Sequence, residues 1–242
     1  MECRLEKQTV IPLSLCDSRG RLSVHSVFGI FMDLAAEHAE LIGLGADSMA
    51  ERNMFWLTVR TKIRVSHLPK MMTPVIGCTW PEAPGRVRCN RHYTLKCAEK
   101  ICAEGVTEWA IIDTSSGKLC KASDIYIDGT VFSDKKADVE PFEKIPDDFS
   151  AADVIGTHCI SSSDIDLGRH MNNAAYVRAL LGAVSCRELE TLNITDAEVV
   201  FKHPCYEGDV LSICRRSFDG GFDIAMLLPD GTAAVVARFV TE

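Results

Sequence analysis

The feature that most constrains the fold occurs twice in this 242-residue chain. It is an apolar stripe of helix length, followed by several strand-like runs in which apolar and polar residues alternate. In the first half the stripe has the 3.6-residue period of an amphipathic helix and consists of Val27, Ile30, Phe31, Leu34, Leu41 and Ile42. The second half repeats it with Tyr176, Val177, Leu180, Leu181 and Val184. One long helix followed by antiparallel strands, twice over, predicts an α+β fold in which each half wraps an antiparallel sheet around a long helix.

The strand-like runs alternate apolar and polar residues with a period of two. The longest covers 55–65, and another covers 86–97. In the second half, glycine-containing turns at 219–221 and 229–231 separate three such runs. Both halves are therefore predicted to contain antiparallel strands.

Charge and cysteine content exclude several classes of protein. A net charge of −8 argues against a general nucleic-acid binder. The eleven cysteines are odd in number, scattered and not preceded by a signal peptide, so they do not indicate a secreted disulfide framework, and no Cys/His set has zinc-site spacing. No apolar run is long enough to span a bilayer. We expect a reduced protein located in the cytoplasm.

A connecting passage divides the chain into two units. Residues 121–150 are acidic and contain Pro141, Pro146 and a cluster of charges. We predict an N-terminal unit over 1–130, a linker over 131–155 and a C-terminal unit over 156–242. A shift of 148 residues lays Gly20-Arg21 on Gly168-Arg169, which is a weak sign of an internal repeat.

The segment 164–176 carries the candidate chemistry. Asp166 and His170 lead through Asn172 and Asn173 into the second apolar stripe. The unpaired N–H groups at the start of a helix can hold a developing negative charge. We interpret Asp166 as the group that activates water or attacks a carbonyl, and His170 as a proton shuttle. The structural alternative is helix capping, which is the better interpretation of at least one of the two asparagines.

Residues 166–176 resemble the signature of hotdog-fold thioesterases, and with 17–23, 56–60 and 109–113 they make the chain similar to the acyl-ACP thioesterase family. The resemblance implies a tandem (double) hotdog whose first half holds the acyl chain and whose second half is catalytic. It also implies hydrolysis of acyl-ACP to fatty acid and acyl carrier protein in fatty acid biosynthesis. No metal or cofactor is expected, because the reaction needs only water, a base and an oxyanion site. Plant members carry a transit peptide, so the early start of the fold predicts a bacterial member.

Rival functions stay open. An enzyme of the same chemistry could act on acyl-CoA, and a non-catalytic protein could bind or sense acyl groups. A hotdog dehydratase fits less well, because the order of an aspartate followed by His-Asn-Asn suits hydrolysis better. Hotdog proteins commonly pair, so a homodimer is also open.

Two residues depart from the family pattern. Family members usually have an asparagine two residues before the histidine, where this chain has Gly168. They also tend to have a glutamate in the strand after the helix, where Pro204 stands here. Three nearby groups are weaker candidates to replace it: Cys205, His203 and Glu207. Cys205 is interpreted either as a nucleophile or as a buried structural thiol, of which the second is more common.

The first half carries candidates for binding the acyl chain and the carrier protein. Phe31, Met32, Phe55 and Leu57 are predicted to line an acyl tunnel, with core packing as the alternative for each. Residues 54–95 contain seven lysines and arginines but only one acidic residue. We predict that five of these basic side chains steer the acidic carrier protein, namely Arg60, Lys62, Arg64, Arg86 and Arg88. The alternative is a sheet face neutralised by acids from elsewhere.

The first half has no catalytic site of its own under the 148-residue shift. Asp166 then falls on Ser18 and His170 on Leu22, while the two asparagines fall on Val24 and His25. Leucine and valine cannot perform acid–base chemistry, so catalysis is expected only in the second half.

Overall fold

A computed structural model describes residues 3–126 and 130–242, so residues 1, 2 and 127–129 of the predicted N-terminal unit lie outside the described part. Across the described residues, ten antiparallel strands form one sheet in the order β1-β3-β4-β5-β2-β7-β10-β9-β8-β6. The first five are β1 Leu5–Val10, β2 Met54–Val65, β3 Pro74–Pro81, β4 Cys89–Cys97 and β5 Lys100–Asp113. The second five are β6 Asp153–Cys159, β7 Ile194–Phe201, β8 Val210–Phe218, β9 Gly221–Leu227 and β10 Ala233–Thr241.

Two long helices pack on one face of this sheet. They are α1 Val24–Leu41 and α3 Asn173–Gly182, and each is followed by a short helix, α2 Ala46–Glu51 or α4 Cys186–Thr191. The Ser23 side chain caps α1, and Gly43 ends it with a φ of 71°, a conformation that glycine adopts without strain. Leu41 is exposed, so the buried stripe of α1 ends about one turn earlier than the sequence predicts.

The two halves share one sheet and one hydrophobic core. Strand β2 pairs with β7 from Arg60↔Val200 to Arg64↔Asp196, and α1 packs against α3. The core includes the stacked rings of Phe31 and Tyr93, whose centroids are 4.7 Å apart. The predicted units are therefore joined by backbone hydrogen bonds rather than by the connecting passage alone.

The connecting passage lies against the sheet face opposite to the helices. The Lys62 ammonium donates a hydrogen bond to the Pro141 carbonyl (2.9 Å), and the Arg60 guanidinium lies over the Phe142 ring at 4.1 Å. Further along, Phe149 is buried in a small apolar cluster with residues of β8, β9 and β10. Strand β6 begins at 153, before the end of the predicted linker at 155. No helix in the described ranges combines the length and apolar character needed to cross a membrane.

Candidate active site

A buried aspartate anchors the loop that carries the candidate chemistry. The Asp164 carboxylate accepts hydrogen bonds from the Ser161 amide (3.0 Å) and hydroxyl (2.9 Å), from His158 (3.2 Å) and from Arg178 on α3 (2.8 Å). Its carbonyl accepts the Asn172 amide at 2.8 Å. Burial raises the Asp164 pKa, but the bonds from Ser161 and His158 outweigh burial and leave it lowered. Asp164 is therefore a carboxylate at neutral pH, and its hydrogen bonds fix the loop between β6 and α3.

Asp166 and His170 lie on opposite sides of a tight hairpin. The Asp166 amide donates to the His170 carbonyl (3.1 Å), and Arg169 closes the turn with a φ of 60°. The Asp166 carboxylate accepts the Gly168 amide at 2.8 Å. His170 Nδ1 lies 3.8 Å from Asp166 Oδ1, and both side chains are partly exposed. The predicted acid and imidazole are thus neighbours in the structure, at an ionic rather than a hydrogen-bonding distance.

The two asparagines have different positions at the start of α3. Asn172 is the N-cap, and its side-chain oxygen accepts the Ala174 amide at 2.8 Å. Asn173 is the first residue of the helix, and its backbone N–H has no acceptor within the described part of the chain. The N–H of Ala174, the next residue, is already bonded by this cap. The Asn173 N–H is therefore unpaired among the described residues, and it lies at the positive end of the helix dipole.

A cavity of about 260 Å³ in the first half reaches this loop. Small side chains of α1 leave the space, namely Ala35, Ala36 and Ala39. Larger apolar groups line the rest of the wall, including Met32, Leu44, Met49, Phe55, Trp56 and Trp109. Leu167, which lies between Asp166 and Gly168, also contributes to the lining. A mostly apolar cavity next to an acid–imidazole pair suits a long acyl group whose reactive end stays at the loop.

Two of the four predicted acyl contacts lie in this cavity, and two do not. Met32 and Phe55 line it. Phe31 is fully buried in the core against Tyr93, and Leu57 lies on the sheet outside the cavity lining. The alanines of α1 were missed because a small residue on a helix also suits close packing. Their grouping as Ala35, Ala36 and Ala39 was the available signal.

The three weaker catalytic candidates have no contact with Asp166 or His170 among the interactions of the described residues. Cys205 is fully buried, and burial raises the pKa of its thiol, so it stays protonated at neutral pH. This environment contradicts its interpretation as a nucleophile. Its carbonyl instead accepts the Met171 amide at 2.8 Å and holds the hairpin in place. His203 and Glu207 are exposed in the turn after β7.

Most of the predicted basic surface is neutralised by acids. Lys62 is buried and paired with Glu198 at 3.3 Å, so it cannot contact a carrier protein. Arg60 pairs with Glu108, and Arg64 with three acids of the connecting passage and β7, namely Asp138, Glu140 and Asp196. Arg86 and Arg88, in the connection between β3 and β4, are the more exposed members of the predicted set, with Arg88 3.7 Å from Glu108.

The first half contains a second copy of the hairpin, at an offset of 149 residues rather than the predicted 148. The bridge Cys16↔Leu22 corresponds to Ile165↔Met171. The residue with positive φ is Gly20 in the first copy and Arg169 in the second, which fixes the offset. The sequence comparison matched glycine with glycine and was therefore wrong by one position. Asp166 corresponds to Asp17, His170 to Arg21, Asn172 to Ser23 and Asn173 to Val24.

Sequence profiles of known families match both halves. The profile of the acyl-ACP thioesterase N-terminal domain matches residues 4–129, and that of the C-terminal domain matches residues 154–227. The chain belongs to the acyl-ACP thioesterase family. Among the described residues of this family member, no group of three or more His, Cys, Asp or Glu side chains could hold a metal ion.

Chloroplastic thioesterases are among the curated relatives of this acyl-ACP thioesterase family member. A chloroplastic oleoyl-acyl carrier protein thioesterase of Coriandrum sativum is 21% identical over 206 residues, which cover 78% of this chain and 56% of the relative. A chloroplastic palmitoyl-acyl carrier protein thioesterase of Cuphea hookeriana is 23% identical over 235 residues, with 89% and 57% covered. The chain thus spans a little over half the length of these relatives.

Solved structures show that this family member shares its whole fold with known proteins. A crystal structure of an acyl-ACP thioesterase from Bacteroides thetaiotaomicron has a TM-score of 0.89 at 21% identity and covers 99% of this chain and 98% of its own. The 12:0-ACP thioesterase from Umbellularia californica has a TM-score of 0.82 at 18% identity, covering 100% and 98%. A large antiparallel sheet with few helices, shared with these proteins, is a hotdog-like fold.

Proposed function

We propose that this protein hydrolyses acyl-ACP thioesters to free fatty acid and acyl carrier protein in fatty acid biosynthesis. The observation that carries the proposal is the Asp166–His170 pair on the hairpin that leads into α3, since Leu167 of the same hairpin lines an apolar cavity. Membership of the family supports the same reaction. The plant relatives are named for carriers loaded with oleoyl and palmitoyl groups.

The proposed mechanism assigns one role to each group. The Asp166 carboxylate takes a proton from water, whose oxygen attacks the thioester carbonyl carbon. The Asn173 N–H stabilises the tetrahedral oxyanion, an interaction type worth about 3–4 kcal/mol in comparable sites. When the carbon–sulfur bond breaks, the proton that Asp166 took from water passes through His170 to the leaving thiolate, which restores both side chains. Asn172 holds the start of α3 in position and does not contact the reacting atoms.

We further propose that the two halves are hotdog units in tandem. Each half contributes five strands to the shared sheet and has one long helix, which follows the same hairpin in both halves. In this arrangement the first unit holds the acyl chain and the second supplies the acid and the imidazole. A bacterial origin, a cytoplasmic location and a homodimer stay predictions from the sequence.

The carrier distinguishes this function from its main rival, an acyl-CoA thioesterase. Arg86 and Arg88 are the more exposed members of the predicted basic set and could attract an acidic carrier protein. Reversing both charges should lower kcat/KM for acyl-ACP and leave kcat/KM for acyl-CoA unchanged. Equal losses on both substrates would contradict a carrier-binding role for these arginines.

A hydrolysis assay of the purified protein over a series of acyl-ACP chain lengths, with matched acyl-CoA substrates, tests the function directly. We expect turnover of acyl-ACP by the wild type and a loss of at least about 100-fold in Asp166→Asn, as for removal of a general base. Tight acyl binding without turnover would instead support the non-catalytic alternative.

A further inference from the structure

We propose that Phe55, which belongs to the half without the catalytic acid, positions the His170 imidazole, and that Gly168 provides the space for this contact. The inference rests on the proposed function, because it concerns how the proton-transferring group is held. It assigns a role in catalysis to the first half in addition to holding the acyl chain.

The two rings form an edge-to-face pair. The centroids of Phe55 and His170 are 6.0 Å apart, and their planes are inclined by 86°. This is a preferred geometry of aromatic pairs. Phe55 lies near the start of β2 and His170 lies just before α3, so the contact joins residues 115 positions apart in the sequence.

Little else fixes the imidazole. Its Nδ1 is 3.8 Å from Asp166 Oδ1, beyond hydrogen-bonding distance, and no side-chain hydrogen bond involves His170 among the described residues. The backbone of the hairpin holds its Cα, but the rotation of the ring depends on packing. The Phe55 ring is the aromatic contact available to restrict that rotation.

Gly168 completes the packing. A Cβ at this position would lie 2.7 Å from His170 Cε1, 2.9 Å from His170 Nε2 and 2.8 Å from Phe55 Cζ. Real Cβ atoms essentially never approach other atoms so closely. The absence of a side chain at 168 is therefore what lets Phe55 and His170 meet above the hairpin.

A side chain at 168 and the phenyl ring of Phe55 compete for the same space beside the imidazole. For a larger residue to stand at 168, the ring of Phe55 or of His170 would have to move.

Replacing the ring with a branched aliphatic tests the positioning role. In Phe55→Leu we expect kcat for acyl-ACP to fall about two- to tenfold, which corresponds to the loss of one aromatic pair interaction. The change in KM should be smaller, because the cavity wall stays apolar. The matched control is Phe218→Leu, because Phe218 is a partly exposed phenylalanine at the end of β8 and does not contact His170. It should keep the wild-type kcat. A Phe55→Leu variant that changes KM alone would show that Phe55 only lines the cavity.

A larger residue at 168 tests the role of Gly168. In Gly168→Asn the ring of Phe55 or of His170 must shift, because the added Cβ would lie less than 3.0 Å from both rings. A misplacement of about 1 Å can lower kcat on the order of 100-fold, so we expect a loss of up to about that size. The control is Gly182→Asn at the end of α3, where a Cβ meets nothing within 4 Å. Adding Phe55→Val, which keeps a good strand former, should not multiply the loss, because both substitutions act on the position of one imidazole; kcat of the double variant should therefore be no lower than that of Gly168→Asn alone.

The outcomes separate this inference from the proposed function. A wild type that hydrolyses neither acyl-ACP nor acyl-CoA refutes the function and the inference with it. An active wild type with unchanged kcat in Phe55→Leu, or with Gly168→Asn as active as Gly182→Asn, refutes the inference alone. Thermal unfolding of each variant identifies any that lose activity by failing to fold; where Gly168→Asn does, kcat in Phe55→Leu decides.

Discussion

Asp17 and Asp166 occupy equivalent positions in two copies of one hairpin, 149 residues apart. Each carboxylate accepts the amide of the residue two positions later, Arg19 at 2.9 Å and Gly168 at 2.8 Å. Only the second copy has an imidazole four residues on, because Arg21 stands in the first. The hairpin is thus a structural unit of the fold, and the imidazole together with the cavity gives the second copy its proposed chemistry.

This equivalence provides a matched pair of variants. Asp166→Asn should lower kcat at least about 100-fold, because an amide cannot take a proton from water. Asp17→Asn makes the same change in the same local geometry and should leave kcat near that of the wild type. Steady-state kinetics on one acyl-ACP substrate measures both. Equal losses in the two variants would indicate that the aspartates act only through the hairpin.

The size of the cavity should control the preferred acyl chain length. Ala39→Leu adds side-chain volume to the α1 wall of the cavity, so long chains should lose kcat/KM relative to short ones. Each methylene that can no longer be buried costs about 0.8 kcal/mol, or roughly a fourfold change. The chain-length series measures this effect. The control is Ala50→Leu, at an exposed position of α2 outside the cavity lining. A uniform change at all lengths would place the acyl group elsewhere.

The buried ion pair across β2 and β7 should stabilise the junction of the halves. Lys62 and Glu198 face each other in the register, and burial raises the pKa of Glu198. Removing one partner leaves an uncompensated buried charge, so Lys62→Met should lower the free energy of unfolding by about 3–5 kcal/mol.

Urea unfolding measures the effect of Lys62→Met. The double variant Lys62→Met/Glu198→Met should recover most of the loss. Arg64→Met, at a partly exposed site, should cost no more than about 1 kcal/mol. A loss in Lys62→Met that resembles that of Arg64→Met would show that the junction does not depend on the pair.

Stability should fall at acid pH because of His38. Burial and the charge of Arg91 lower the His38 pKa from 6.5 to about 4, and its Nδ1 accepts a hydrogen bond from Arg91 at 2.7 Å. The unfolded chain binds this proton more tightly, so the contribution of His38 is complete above pH 6.5 and is lost as the pH falls through 4. The full difference is about 3 kcal/mol.

Unfolding free energies at pH 7 and pH 4.5 measure this dependence. The difference between the two values should be smaller in His38→Gln, which keeps an acceptor for Arg91 but does not titrate. Identical pH dependences of the wild type and the variant would rule out His38 as the cause.

The sequence predicted the elements of the fold better than their assembly. The alternation over 55–65 corresponds to β2, and the stripe from Val27 to Leu34 corresponds to the buried face of α1. Acid and imidazole were also expected together, since Asp166 and His170 are four residues apart in one turn. These features depend on local spacing, which a sequence displays directly.

The sequence could not assign partners across the sheet. The cations Arg60, Lys62 and Arg64 looked like a free basic surface, because the acids that neutralise them come from Glu108, β7 and the connecting passage. Similarly, Phe31 and Met32 are neighbours in sequence, but one faces the core and the other the cavity.

By itself, the sequence determined two helix-and-strand halves, the family, and an acid–imidazole pair before the second long helix. Only the tertiary structure decided that β2 and β7 join the halves into one sheet, that Asp17 is the counterpart of Asp166, and that Phe55 meets His170 over Gly168. The reason is physical: secondary structure and turns depend on residues a few positions apart. Strand order and packing, in contrast, bring together groups more than 100 positions apart, whose pairing no local pattern encodes.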